Sequence, residues 1–424
     1  MSVTAKIMQF VLKFRENIKS VEFMNLFIYA EDGKEIQTHS SLFKQKINTI
    51  SIKTQSAQER YSSASNILKA SNQMHKNLEV LIDKKSLTLD ELKEYYSQLN
   101  QNDYTDLIYA TFLHQKQNWE MFNDGWNGFL SSEYKKFHFD WFQIKVQFNP
   151  TRLVSSSAKV DDESIKKRKC FLCLENLPEE QKGILFESKS QPHERLIFLC
   201  NPAPIFNEHF TISDVKHTSQ QIFSNISMML ELTELCNNEY TVFYNGPRCG
   251  ASAPDHFHFQ ACPAEDLITE RDFLNHPEKF QILTEKENVL IRFISKEIYL
   301  RNVLTFSSKD KFRLTNYFQK FYKALQEVNG TTTEPLMNIF ALMRSDDYHI
   351  VIFPREKHRP DCYFAEGDAN MLISPGLVDM CGMLITPLQK DFERINEEII
   401  RQVYSEVSLS TSKFQSLLEK LNQS

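Results

Sequence analysis

Residues 255–262 read Asp-His-Phe-His-Phe-Gln-Ala-Cys, an alternation that suits a β-strand and little else. Successive strand side chains point to opposite faces, so His256, His258 and Gln260 project together while Phe257 and Phe259 turn into a core. Two imidazoles and an amide on one face need partners for every polar atom they bury. Two surface histidines on an edge strand are the plainer reading of an HxH pair. The third polar residue, the flanking phenylalanines and the preceding loop Gly250-Ala-Ser-Ala-Pro254 argue for a built site instead. Glycine is scarce, ten in 424 residues, against a usual share of about 7%. Its presence in that loop is therefore informative.

The surrounding sequence reads as an α+β fold on a mostly antiparallel sheet. Strand patterns recur in HFDWFQIKVQFNP (138–150), RLIFLCNP (195–202), HFTI (209–212), YTVFYN (240–245) and HFHFQA (256–261), with an amphipathic helix over Thr218–Cys236. Residues 266–424 look like a degenerate echo of this unit. EHFTISDVKH (208–217) and YHIVIFPREKH (348–358) share a pattern, and a helix over Phe312–Val328 precedes the strand MNIFALMR (337–344). Residues 1–125 read as a helical appendage without catalytic spacing. An amphipathic segment lies at 6–19, helical spacing runs over 56–82, and a Thr88-x-x-Glu91 capping box opens a helix through Leu99. The expected regions are a helical 1–125, a catalytic half 126–265 and a second half 266–424, with the linker in 264–285.

Net charge is −6, from 49 Lys and Arg against 55 Asp and Glu, which excludes a general basic surface for nucleic acid. No window approaches 18 apolar residues, so no membrane span is expected, and 6–19 lacks the features of a signal peptide. A cytoplasmic, reducing setting follows as the expectation. Six of the eight cysteines fall between 170 and 262. Cys170-x-x-Cys173 is then either a zinc half-site or a redox pair. His217 and a strand histidine would complete a closed Cys₂His₂ site.

These residues resemble the transferase branch of the histidine-triad (HIT) superfamily, which includes galactose-1-phosphate uridylyltransferases, diadenosine tetraphosphate phosphorylases and GDP-hexose phosphorylases. The resemblance rests on His256-x-His258-x-Gln260 behind Gly250-x-Ser252 and Pro254, on Cys170-x-x-Cys173, and on the Lys216-His217 turn. Ser374-Pro-Gly376, Asp379-Met-Cys-Gly382 and Glu406-Val-Ser-Leu-Ser410 are similar to segments of the GDP-hexose phosphorylases. Phe257 stands where the uridylyltransferases carry proline, which favours the phosphorylase side.

The resemblance implies two HIT-like halves and a structural zinc held by Cys170, Cys173, His217 and His256. It implies His258 as the nucleophile attacking the α-phosphorus of a nucleoside diphosphate hexose or dinucleotide, with Gln260 donating to a phosphate oxygen. Arg152, Asn245, Arg248, Gly250 and Ser252 are the candidate phosphate contacts, with Arg355, Lys357 and Arg359 around His358 as further cations. His209 competes with His217 for the metal. Inorganic phosphate or a hexose 1-phosphate would be the acceptor, and such proteins are often homodimers. The competing readings are a dinucleoside polyphosphate phosphorylase, a catalytically silent zinc-bearing nucleotide-binding protein, and a thiol redox protein.

Overall fold

The computed structural model describes residues 73–423 and, before them, two short antiparallel strands, β1 (Ile28–Tyr29) and β2 (Glu35–Ile36). The helical readings at 6–19 and 56–72 lie outside the described residues. The chain forms two compact units, 1–79 and 80–424. Among the described residues no helix is long and apolar enough to cross a membrane.

The Thr88 capping box forms as read. Thr88 Oγ1 accepts from the Glu91 amide and the Glu91 carboxylate accepts from the Thr88 amide at 2.8 Å. The helix it opens, Leu89–Tyr95, stops short of Leu99. Helices Tyr104–Asn118 and Glu120–Leu130 follow. Phe112 and Phe122 from these helices and Trp119 between them join Phe186 and Phe198 in one core, and the Tyr104 hydroxyl donates to the Leu185 carbonyl at 2.7 Å.

The second unit is α+β and mostly antiparallel, as the sequence predicts. HFDWFQIKVQFNP supplies the turn and second strand of a hairpin, β3 (Glu133–Phe139) and β4 (Phe142–Phe148), whose first strand begins before it, and β4 pairs in parallel with β15 (Met383–Thr386). Ten strands form one continuous antiparallel sheet. The first five are β5 (Gly183–Glu187), β6 (Arg195–Cys200), β7 (Phe210–Asp214), β8 (Tyr240–Asn245) and β9 (His258–Pro263). The others are β10 (Gln281–Lys286), β11 (Val289–Ile294), β12 (Val303–Ser308), β13 (Met337–Arg344) and β14 (Asp347–Pro354).

Their order, β10-β11-β12-β14-β13-β8-β9-β7-β6-β5, is symmetric about the β13–β8 pair. Each half is a three-strand meander, a helix, then a hairpin whose second strand returns beside the meander. The helices are Ile226–Leu235 and Lys311–Asn329. The first begins later than Thr218; residues 218–225 are loop. At the seam Phe243 pairs with Phe340, flanked by Tyr244 with Ile339 and Val242 with Ala341. The local two-fold therefore passes through the phenylalanine pair. It relates Ser213 paired with His258 to Ser307 paired with His349. His349 is thus the counterpart of His258. The sequence echo set its strand against β7, because a short apolar pattern ending in Lys-His matches more than one strand.

The two hairpins close differently. Ser345 and Asp346 make a two-residue turn between β13 and β14, both with φ positive, at 48° and 68°. Such turns match the twist of the flanking strands and leave no room for a site. Between β8 and β9 stands the loop 246–257 instead. The sheet has a core on each face. Phe257, Phe259 and Ala261 enter the one covered by the long helices, and Cys262 enters the other, next to β4 and β15. Burying each phenylalanine contributes about 1.5–3 kcal/mol, enough to fix which face the histidines take.

Candidate functional site

β9 begins at His258, so His256 lies in the end of the loop before it. Gln220 pins this junction. Its Oε1 accepts from the His258 amide at 2.8 Å, and its Nε2 donates to the carbonyls of His258 and Asn245, both at 3.0 Å. The buried His258 ring is then fixed through one nitrogen. Nδ1 lies 2.9 Å from the His256 carbonyl, which can only accept, so Nδ1 carries the proton. Nε2 is left with its lone pair and makes no hydrogen bond to a described residue. Burial holds the imidazole pKa below its usual value, so the ring is neutral at pH 7.

His256 uses the opposite nitrogen. Its Nε2 donates to the Asp214 carbonyl at 2.8 Å, turning Nδ1 toward Cys170 Sγ at 3.3 Å and Cys173 Sγ at 3.7 Å. His217 Nδ1 lies 3.2 Å from Cys173 Sγ. One ligand atom from each of the four residues falls within 4.8 Å of the others, so the cluster can hold a metal ion. Sulfur–nitrogen separations near 3.5 Å are what a tetrahedral ion with bonds of about 2.0–2.3 Å imposes. Asp255 supports the cluster from outside, with its carboxylate 3.9 Å from His217 Nε2 and paired with Arg168. Burial and the neighbouring Cys170 push the Cys173 thiol up to about 12, so a cation is what would favour its thiolate.

His209 does not join this cluster. It is buried beside Gln260, with Nδ1 accepting from the Ile205 amide at 3.2 Å and Nε2 donating to Gln260 Oε1 at 2.8 Å. Once its oxygen is taken, the Gln260 amide has its NH₂ group free to face a ligand. Burial, then the charge of Arg152, holds the His209 pKa down to about 3, so it stays neutral and keeps this tautomer. The sequence could not assign this role, because β7 and β9 become neighbours only in the sheet.

The cations fare unequally. Half-buried Arg152 donates to the Ala203 carbonyl at 2.8 Å and stands close enough to His209 and Asp379 for its charge to act on both. Arg248 is exposed on the loop 246–257. Arg355 is fully buried and spends its guanidinium on Asn338 Oδ1 and the carbonyls of Pro375, Val407, Lys357 and His358, so it holds the seam and is not a ligand contact. Lys357 pairs with Asp361 and Glu406. Asn245 is also engaged: its Oδ1 accepts from Asn338 Nδ2 at 2.8 Å and from the Leu377 amide at 2.7 Å. Gly250, at φ +94°, lies against Gly376, where an added Cβ would sit 2.4 Å from the Gly376 Cα. Ser252 is half-buried in the same loop.

Residues 111–263 match the family model named Domain of unknown function (DUF4922). Residues 274–423 match the GDPGP1-like C-terminal domain. The second match bears out the resemblance to the GDP-hexose phosphorylases. No curated protein matches the sequence. Among solved structures, the yeast Ap4A phosphorylase Apa2 is similar at 17% identity and a TM-score of 0.46, over 74% of this chain and 96% of that one. A DUF4931 family protein from Bacillus cereus ATCC 10987 is similar at 16% identity and a TM-score of 0.27, over 38% of this chain and 81% of that one. A uridylyltransferase is similar at 10% identity and a TM-score of 0.30, over 61% of this chain and 92% of that one.

Proposed function

We propose that the chain is a nucleotidyltransferase of the GDP-hexose phosphorylase type, working through a nucleotidyl group carried on His258. The observation that carries this reading is the His258 tautomer: Nδ1–H donates to the His256 carbonyl, which leaves a neutral Nε2 lone pair as nucleophile. In the first step the lone pair forms an Nε2–P bond at the α-phosphorus of a nucleoside diphosphate hexose. The P–O bond to the β-phosphate breaks, and hexose 1-phosphate leaves with that electron pair. In the second step an oxygen of inorganic phosphate or of a hexose 1-phosphate attacks the same phosphorus, and the Nε2–P bond returns its pair to the ring. Nδ1 keeps its proton throughout, so neither step needs a proton relay at His258.

The Gln260 amide, held by His209, donates to a non-bridging oxygen as charge builds there. Arg152, beside His209, supplies the nearby positive charge. Cys170, Cys173, His217 and His256 would hold a structural Zn²⁺, four protein ligands leaving no open position for substrate. That ion would tie the cysteine pair and the 214–218 turn to the loop ahead of His258. The GDPGP1-like match supports the GDP-hexose reading of the donor.

Intact-protein mass spectrometry after brief mixing with GDP-glucose, UDP-glucose or diadenosine tetraphosphate tests the reading. A nucleotide-sized adduct on the wild type, missing from His258→Ala, is expected, and the base of the adduct identifies the donor. A folded, zinc-loaded protein that gains no adduct from any of the three counts against it and favours a binding protein without turnover.

A further inference from the structure

We propose that Arg248, His358 and Arg359 form a second anion subsite at the seam between the two halves. Its ligand would be a phosphate dianion, free or as the monoester of a sugar 1-phosphate. As the acceptor's subsite, it rests on the reading of His258 as nucleophile.

Arg359 is held in place on three sides. Its Nε donates to Ser374 Oγ and its Nη2 to the Ala158 carbonyl, both at 2.8 Å, and its Cζ lies 4.1 Å from the Tyr363 ring centre. Nη1 has no bond to a described residue, and no carboxylate pairs with the group. Arg248 makes neither a hydrogen bond nor an ion pair with a described residue. His358 is within reach of the charges of all three arginines, and its carbonyl accepts from Arg355. Burial first, then the charges of Arg359, Arg355 and Arg248, keep its imidazole neutral down to about 3. The nearby carboxylates are spent elsewhere: Asp361 and Glu406 on Lys357, Asp379 on the amides of Gly376 and Ile385. Arg248 and Arg359 thus carry positive charge with no carboxylate paired to either, an arrangement that attracts an anion.

The cluster is tied to the nucleophile. Asn338 donates to the Cys249 carbonyl, next to Arg248, at 2.6 Å and to Asn245 Oδ1 at 2.8 Å. Arg355 bonds Asn338 and also the His358 carbonyl at 2.9 Å. Asn245 is joined to His258 through the single nitrogen of Gln220. One hydrogen-bonded frame therefore sets Arg248 and Arg359 relative to His258. Arg359 comes from the second half and Arg248 from the loop that the second half replaces by a tight turn.

The test is equilibrium dialysis of the full-length protein against ³²P-labelled inorganic phosphate, for wild type, Arg248→Gln and Arg359→Gln. Saturable binding to the wild type, weakened about tenfold in each variant, is expected for loss of one charge-assisted contact. Arg248 has no partner to lose, so its variant keeps the fold even if Arg359→Gln does not. Displacement of the label by glucose 1-phosphate, with glucose as the neutral control, assigns the monoester as a ligand; failure to displace assigns free phosphate alone. Absence of saturable binding, or equal binding in the Arg248 variant, overturns the proposal. Phosphate binding is read without turnover. A protein that binds phosphate here yet forms no adduct on His258 would keep the subsite and lose the nucleotidyl-transfer reading.

Discussion

Replacing His209 by phenylalanine keeps an aromatic ring between Phe206 and Phe243 and removes two hydrogen bonds, the 3.2 Å one from the Ile205 amide and the 2.8 Å contact to Gln260 Oε1, of which only the second orients the Gln260 amide. In the wild type a flipped amide would set its NH₂ against the His209 N–H, so the orientation is held by at least that one bond. A neutral hydrogen bond contributes about 1 kcal/mol net, and stranding a partly buried oxygen adds a similar amount. Losing about 1–2 kcal/mol of orientation corresponds to a fall of roughly 5–30-fold in the rate of adduct formation on His258. The assay is quench-flow mass spectrometry at saturating donor. The same substitution made on a Gln260→Ala background should change the rate by less than about twofold, because of the two His209 bonds only the one to Gln260 leads toward the ligand. With its pKa held near 3, His209 stays neutral over any working pH, so the ratio of wild-type to variant rates is flat with pH. Multiplicative losses in the double variant, or a ratio that changes with pH, would refute the reasoning.

Zinc analysis of the purified protein is expected to give about one ion per chain, with Cys173→Ser losing it and chelation lowering the melting temperature; a metal-free protein of unchanged stability would contradict the site. Burial raises Glu334 to about 7, against the donors Tyr244 OH and the Ile222 amide, so its folded pKa lies above the unfolded one. Its contribution to stability is full below about pH 4.5 and is lost as pH rises through 7, so Glu334→Gln should gain a few kcal/mol on the wild type between pH 5 and 8 in urea melts. A constant difference across that window would exclude the mechanism. Gly250→Ala combines a positive φ with a backbone contact at Gly376 and should cost at least about 2 kcal/mol by the same melts; a neutral result would mean the loop yields.

Local patterns were legible where the residues that matter stand close in sequence. The Thr88 capping box, the β8 and β13 boundaries and the Phe257–Phe259 core face all follow from spacing alone. The Cys170–Cys173 pair and the His217 turn were found by residue type, since few other chemistries use those groups together. Grouping Arg355 with the cations around His358 misses its burial, because charge in a sequence carries no sign of it: three of its five acceptors, on Asn338, Pro375 and Val407, come from segments 17 to 52 residues away. His209 was likewise ambiguous until the pairing of Thr211 with Gln260 brought β7 and β9 side by side. The joining of two half-sheets into one depends on the β8–β13 register, which no local pattern encodes.

The parallel pairing of β4 with β15 sets an order of events during synthesis. β4 ends at Phe148 and its partner begins at Met383. At about 5–20 residues per second, a ribosome needs on the order of 10–50 s to deliver the second strand after the first. Through that interval β4 has β3 on one side and an open edge on the other, bearing the apolar Ile144 and Val146. An open apolar edge is a template for the wrong strand. A fragment ending near residue 265 would carry the same exposed edge permanently. The second half thus serves the first as the cover that finishes it.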